Sequence, residues 1–250
     1  MSGHSKWSSI KHQKGVTDAR RGQLFTKLGR EITVSVRQSG PNVESNFQLR
    51  LAIQRAKDNN MPLDNIERAI KRASGGLGTS DLNEMVLEGY GPGGVAILVK
   101  ALSNNRNRTI QDVRQLLARH GGSMGENGCV SWLFETKGVI LVDNENQNAE
   151  ELALLAIDAG ADDVNTTEEY IEIYTQPQNL EEVRKVISVK NKVISTEISE
   201  IPKTTMALDE KQSAQVISII DHLEELDDVQ HVFSNAVFSE ITLEELSKSN

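Results

Sequence analysis

The stretch GVILVDNENQNAEELALLAIDAGADDVNTTEEYIEIYTQPQNLEEVRKVISVKNKVISTEIS, residues 138 to 199, decides the fold. Short runs rich in Val, Ile and Tyr at 139–142, 163–165, 170–174 and 193–198 read as strands. Between them, 149–159 and 180–189 repeat apolar residues at helical spacing. The order is strand, helix, strand, strand, helix, strand, which is a ferredoxin-like α+β unit. Thr136-Lys137-Gly138 in front of it reads as a turn.

The flanking sequence is incomplete on either side of this unit. Upstream, strands at 85–90 and 95–102 are joined by Gly91-Pro92-Gly93-Gly94. A helix follows at 108–120 with Ile110, Val113, Leu116 and Leu117 inward, then a strand at 129–134. One helix is too little to cover that sheet. Downstream, 204–208, a helix at 209–226 and a strand at 229–233 supply what is missing, and 240–250 reads as a frayed end. The expected architecture is α+β with three domains. A helical domain at 1–78 precedes a discontinuous domain at 79–135 plus 204–250, into which a ferredoxin-like domain at 136–203 is inserted. The strand near Val229 is then expected beside the strand near Val95.

The first third is helical and basic. Leu24, Phe25, Leu28, Ile32 and Val36 share one arc of a helix at 18–38, and Arg20, Lys27, Arg30 and Arg37 lie opposite. Ser39-Gly40-Pro41-Asn42 breaks it. A second helix spans 44–59, with Phe47, Leu51 and Leu49, Ile53, Ala56 apolar. Pro62 opens a third, where Ile66, Ala69, Ile70 and Ala73 line one side and Arg68, Lys71 and Arg72 the other. Residues 1–16 read as a polar arm.

Charge follows the same division. The net charge is −9, yet residues 1–78 hold 14 Lys and Arg against 6 Asp and Glu, while the rest holds 13 against 30. A head at +8 on a body at −17 points to a polyanionic partner. The candidate contacts are Lys6, Trp7, Lys11, His12, Lys14, Arg20, Arg21, Lys27, Arg30, Arg37, Arg68, Lys71 and Arg72. Trp7 either stacks on a base or docks back onto the helical domain. Arg106 and Arg108 in Asn105-Arg-Asn-Arg-Thr109 open a helix, where two cations and free N–H groups suit an anion; Asn105 or Asn107 equally suits the cap.

Other chemistries find little support. Gly89-Tyr-Gly-Pro-Gly-Gly94 matches the dinucleotide pattern, but a strand follows it where a helix is needed, so it reads as a hairpin turn. The single cysteine, Cys129, excludes an internal disulfide and a CxxC zinc pair, and no cation stands by to activate it. His4, His12, His120, His222 and His231 lack metal spacing; His120 reads as a helix cap. Acidic pairs such as Glu224-Glu225 and Asp227-Asp228 read as a solvated surface. No catalytic constellation, metal, cofactor or small-molecule substrate is expected. The longest aliphatic run, 95–99, is too short to cross a bilayer, and a cytoplasmic location fits.

Several motifs resemble those of the YebC/PmpR family. They are Gly3-His-Ser-Lys-Trp7, Ile10-Lys-His-Gln-Lys14, Phe25-Thr-Lys-Leu-Gly-Arg-Glu-Ile32 and Asn60-Met-Pro-Leu-Asp-Asn-Ile-Glu-Arg-Ala-Ile-Lys-Arg72. Glu88-Gly-Tyr-Gly-Pro-Gly-Gly-Val95, Asn105-Arg-Asn-Arg-Thr109, Gly125-Glu-Asn-Gly-Cys-Val-Ser-Trp132, Ile201-Pro-Lys-Thr-Thr205 and Leu226-Asp-Asp-Val-Gln230 continue the series. The resemblance implies a cytosolic protein of a helical and two α+β domains without enzymatic activity. It implies a probable DNA-binding transcriptional regulator, or else a translation factor that binds RNA or the ribosome. Leu63 stands where the family often carries a basic residue.

Overall fold

The computed structural model describes residues 18–75, 82–144, 148–167, 170–239 and 241–242, with the side chains of 18–20 outside that description. The expected arm at 1–16 and most of the expected frayed end therefore lie outside the described residues.

Three helices open the described chain: α1 (Asp18–Ser39), α2 (Phe47–Asp58) and α3 (Leu63–Ser74). Leu28, Ile32 and Val36 of α1 close on Leu49, Ala52 and Ala56 of α2 and on Met61, Ile66 and Ala73. The turn between α1 and α2 is held by buried Asn46. Its side-chain oxygen accepts the Leu49 N–H at 3.0 Å, and its amide donates to the carbonyls of Ser35 and Gly40, each at 2.7 Å. The cap therefore stands at Asn46, and α2 starts three residues later than the expected 44 because residues 42–46 form the turn. The apolar residues of α2 divide between two faces. Leu49, Ala52 and Ala56 fill the helical core, whereas Phe47 and Leu51 pack against the core of the third domain.

The middle domain begins with the hairpin of β1 (Asn83–Tyr90) and β2 (Ala96–Ser103), followed by α4 (Arg106–Arg119) and β3 (Ser123–Met124). After the third domain, the chain returns through β8 (Met206–Ala207), α7 (Glu210–Glu225), β9 (Val229–Ser234) and β10 (Ala236–Val237). The main sheet has the order β3-β1-β2-β9 and is antiparallel throughout. Val113 and Leu117 of α4 and Val216, Ile219, Ile220 and Leu223 of α7 cover one face, over Leu87, Ile97 and Val99. On the other face, Ala96, Leu98 and Phe233 meet Val130 and Phe134. Because both faces are covered there, β2 is apolar without alternation from Ala96 to Val99, and only then does Lys100 interrupt it.

The third domain contains β4 (Phe134–Asp143), α5 (Ala149–Asp158), β5 (Asp163–Thr166), β6 (Tyr170–Thr175), α6 (Leu180–Ile187) and β7 (Val193–Pro202). Its antiparallel order, β5-β6-β4-β7, is that of a ferredoxin-like sheet. Leu152, Ala156, Leu180, Val183 and Ile187 cover Ile140, Val142, Ile171 and Ile173. The architecture is thus α+β, a helical domain followed by two ferredoxin-like domains, the third inserted in the second.

Two expected elements are corrected. The strand at 129–134 is absent: residues Ser131–Leu133 form one 3-10 turn, and a strand starts only at Phe134. The turn at Thr136–Gly138 is absent as well, because β4 runs straight through it, paired with β7 from Phe134↔Pro202 onward. Gly138 serves the packing instead of a turn. A side chain there would meet Thr175 Oγ1 at 2.5 Å and Leu180 at 2.9 Å.

Candidate nucleic-acid interface

The expected contact residues divide into three groups. Lys6, Trp7, Lys11, His12 and Lys14 lie outside the described residues, and Arg20 falls on α1 with its side chain outside them. A second group has protein partners. Lys27 donates to the Glu224 carbonyl, and Gln23 beside it reaches the Glu225 carbonyl and, at 2.9 Å, Asp227. These two carbonyls belong to the last turn of α7, where a helix leaves its C=O groups without partners and its dipole is negative. Arg30 donates to the Asp227 carbonyl at 2.6 Å and to Asp228 Oδ1 at 3.0 Å. Arg21 and Arg37 are exposed on the same helix, each with an interaction of its own.

Asp228 is the centre of this joint. Its Oδ2 accepts from Arg108 Nη2 at 2.6 Å, Thr109 Oγ1 at 2.8 Å and Ser103 Oγ at 2.9 Å. Burial pushes its carboxyl up, but the hydrogen bonds from Arg108, Thr109 and Ser103 outweigh that and hold it below the usual aspartate range. It is not the solvated surface acid expected from its sequence. Asn105 caps α4 by accepting the Arg108 N–H at 3.1 Å.

The third group is open. Arg68, Lys71 and Arg72 stand exposed along α3, opposite buried Ile66 and Ala73, and Arg106 is exposed at the start of α4. Arg68 is held along its own helix by the Asp64 carbonyl and Asn65. Among the described residues, the side chains of Lys71, Arg72 and Arg106 make no hydrogen bond or ion pair. Leu63 precedes them, also exposed.

Sequence reasoning missed the polar centre where the three domains meet. A cleft of about 550 Å³ is lined by Glu31 and Arg55 from the helices, Lys100 and His231 from the middle sheet, and Glu197 from β7. Arg55 Nη1 lies 3.1 Å from Glu31 Oε1 and 2.7 Å from His231 Nε2. Burial, then Arg55, push His231 below its ordinary value, so the ring is neutral and its Nε2 accepts from the guanidinium. Burial pushes the Glu31 carboxyl up, but the Arg55 guanidinium more than offsets it, lowering it to about 2. Lys100 pairs with Glu200 at 2.5 Å across the middle and third domains. Arg50 likewise joins α2 to Glu181 of α6 at 2.7 Å. No local pattern marks these residues, because each partner comes from a distant part of the chain.

The expected hairpin in the glycine loop is present. It links β1 to β2, with Gly93 and Gly94 at φ of 78° and 85°. His120 ends α4 with Nδ1 3.0 Å from the Leu116 carbonyl, and its ring lies 4.8 Å from that of His222. Among the described residues, no group of three or more His, Cys, Asp or Glu is placed to hold a metal ion. Nor is any helix there long and apolar enough to cross a membrane.

A helical domain docked on a pair of ferredoxin-like domains, with an exposed basic helix, defines a class that comparison with known proteins identifies. Residues 5–76 match the family model of the TACO1/YebC protein N-terminal domain, and residues 82–236 match that of the TACO1/YebC second and third domain. The chain belongs to the TACO1/YebC family. It is 58% identical over 239 residues, 95% of each chain, to a probable transcriptional regulatory protein of Dehalococcoides mccartyi. It is 46% identical over 247 residues, 98% of each, to a protein of the same description from Thermotoga petrophila. The crystal structure of a conserved hypothetical protein from Aquifex aeolicus superposes with a TM-score of 0.84 at 47% identity, covering 94% of this chain and 97% of that one.

Proposed function

We propose that the protein is a nucleic-acid-binding regulator of gene expression, a DNA-binding transcriptional regulator that works in the cytoplasm without catalysis. The observation that carries this reading is the open row of Arg68, Lys71 and Arg72 on α3. Cations in that state release counterions when they meet phosphates, whereas Lys27, Arg30 and Arg108 are engaged within the protein. The relatives named probable transcriptional regulatory proteins support the regulatory part. The N-terminal basic residues up to Arg21, together with Arg37 and Arg106, extend the same proposed surface. We further propose the division 1–78, 79–135 plus 204–250, and 136–203, which the pairing of β9 with β2 supports.

The test is charge reversal of Arg68, Lys71 and Arg72 to Glu in the full chain. Three phosphate contacts give a slope of about −2.7 in log affinity against log salt for duplex DNA. The variant is expected to lose most of that slope and at least about tenfold in affinity at about 150 mM salt. Unchanged affinity and slope would overturn the reading. Duplex DNA and structured RNA are compared at matched salt; an RNA preference lost in the variant would replace the DNA reading with one of RNA or ribosome binding.

A further inference from the structure

The motif Gly125-Glu-Asn-Gly-Cys-Val-Ser-Trp132 plays no part in the surface proposed above. It ends on an aromatic side chain in an unusual state: Trp132 is 65% exposed, yet it is tied down. Its indole Nε1 donates to the Cys129 carbonyl at 3.0 Å, and the hydroxyl of Tyr90, itself exposed, donates to the same oxygen at 3.1 Å. Two ring systems are therefore anchored by their polar tips on one atom, with apolar surface left facing water. An indole of this size normally recovers its hydration cost by burial. Here the described protein leaves most of it open.

The loop that presents the pair is rigid. Glu88 of β1 turns inward, and its carboxylate accepts the N–H groups of Gly128 at 2.7 Å, Val130 at 2.7 Å and Ser131 at 2.8 Å. Burial pushes that carboxyl up, and the three backbone donors overcome this and hold it below the usual glutamate range. Val130 is plugged into the apolar layer with Leu98, Phe134 and Phe233. Gly125 has no room for a side chain against the Cys129 sulfur. Lys203, exposed, donates to the Trp132 carbonyl at 3.2 Å, which places a cation at the backbone of the residue that carries the indole.

We propose that Trp132 and Tyr90 form a platform on which an unpaired nucleobase stacks, with Lys203 near its phosphate. The platform rests on the nucleic-acid reading above but uses a surface separate from α3. Fixed, exposed aromatic faces beside a cation are how single strands are held without sequence preference. A base buried in a duplex has no free face to offer, so the site selects unpaired segments. Glu126 and Glu135 are exposed nearby. The affinity gained here therefore comes from stacking more than from phosphate contact, and its salt dependence is shallow.

The protein has two tryptophans, Trp7 and Trp132, so the full-length Trp7→Phe variant makes Trp132 its only indole reporter. Twelve-nucleotide oligouridylate and oligothymidylate are titrated against it at about 150 mM salt, with a duplex of equal length beside them. Trp132 emission is expected to be quenched by the single strands and unaffected by the duplex. In the parent chain, Trp132→Ala is expected to lower single-strand affinity about tenfold, within the range stacked bases give. Its melting temperature and salt slope should stay unchanged, and Trp132→Phe should restore most of the loss. Absence of quenching with unchanged affinity in Trp132→Ala overturns the platform, even where charge reversal on α3 abolishes binding and the functional reading stands. Quenching that survives that charge reversal supports the platform as a surface separate from α3. If neither strand type binds at all, both fail together.

Discussion

Asp228 shows how one residue can join two domains. It is a buried carboxylate facing Arg30 from the helical domain and Arg108, Thr109 and Ser103 from the middle domain. Removing a buried acid leaves its cations and hydroxyls without partners, which costs more than the pair contributes net. Asp228→Ala is therefore expected to destabilise the protein by about 3 kcal/mol, read as a lower urea midpoint. Arg106→Ala, at an exposed side chain on the helix that carries Arg108, should change stability by less than about 0.5 kcal/mol. Equal effects would remove Asp228 from the centre of the joint. None of this was legible in Leu226-Asp-Asp-Val-Gln230, where Asp227 and Asp228 look alike. Which one turns inward depends on where β9 joins β2.

Among the elements, α1 is docked by its polar side as well as by its apolar one. Gln23, Lys27 and Arg30 satisfy the last turn of α7 and the acids after it. The double variant Lys27→Ala, Arg30→Ala should therefore loosen α1 without disturbing either sheet. Hydrogen exchange is expected to speed up about tenfold at the α1 amides, with the β2 and β4 amides unchanged; uniform protection across α1 would contradict the docking. The elements themselves were largely legible, because each carries its period in its own residues: α1 at 3.6, and β4 to β7 in short Val- and Ile-rich runs. The strand expected at 129–134 failed for a reason outside its own sequence. Glu88, some 40 residues earlier, draws the N–H groups at 128, 130 and 131 to one carboxylate, and a strand cannot turn them all the same way.

For the whole molecule, the ties between the helical domain and the rest share one property. Asp228 faces Arg30 and Glu181 faces Arg50 across that joint, and Glu31, beside Arg55 of its own domain, faces His231 across it; each of the three carboxyls titrates below its ordinary value. A carboxyl with a lowered folded pKa contributes stability that is present above its unfolded pKa and lost as pH falls through the folded one. For Glu31 that window runs from 4.5 down to about 2. Neutral His231, facing Arg55, Glu31 and Glu197, works in the same direction, since protonating it places a second cation beside Arg55. Acidification from pH 5 to about 2.5 is therefore expected to free the helical domain before the sheets unfold. Small-angle scattering should show the radius of gyration rising while far-ultraviolet dichroism keeps its sheet signal. Simultaneous loss of both would refute the order.

The sequence by itself determined the three-domain α+β architecture, the ferredoxin-like order of the third domain and the basic character of the first third. Periodicity and charge sum are properties of neighbours along the chain, so they survive without coordinates. Only the tertiary structure decided which cations are consumed. Lys27, Arg30 and Arg108 read like Arg68, Lys71 and Arg72 in sequence, but their partners lie roughly 120 to 200 residues away. The same holds for the Glu31, Arg55 and His231 cluster and for exposed Trp132. A side chain's availability depends on which distant surfaces fold against it, and no local pattern encodes that.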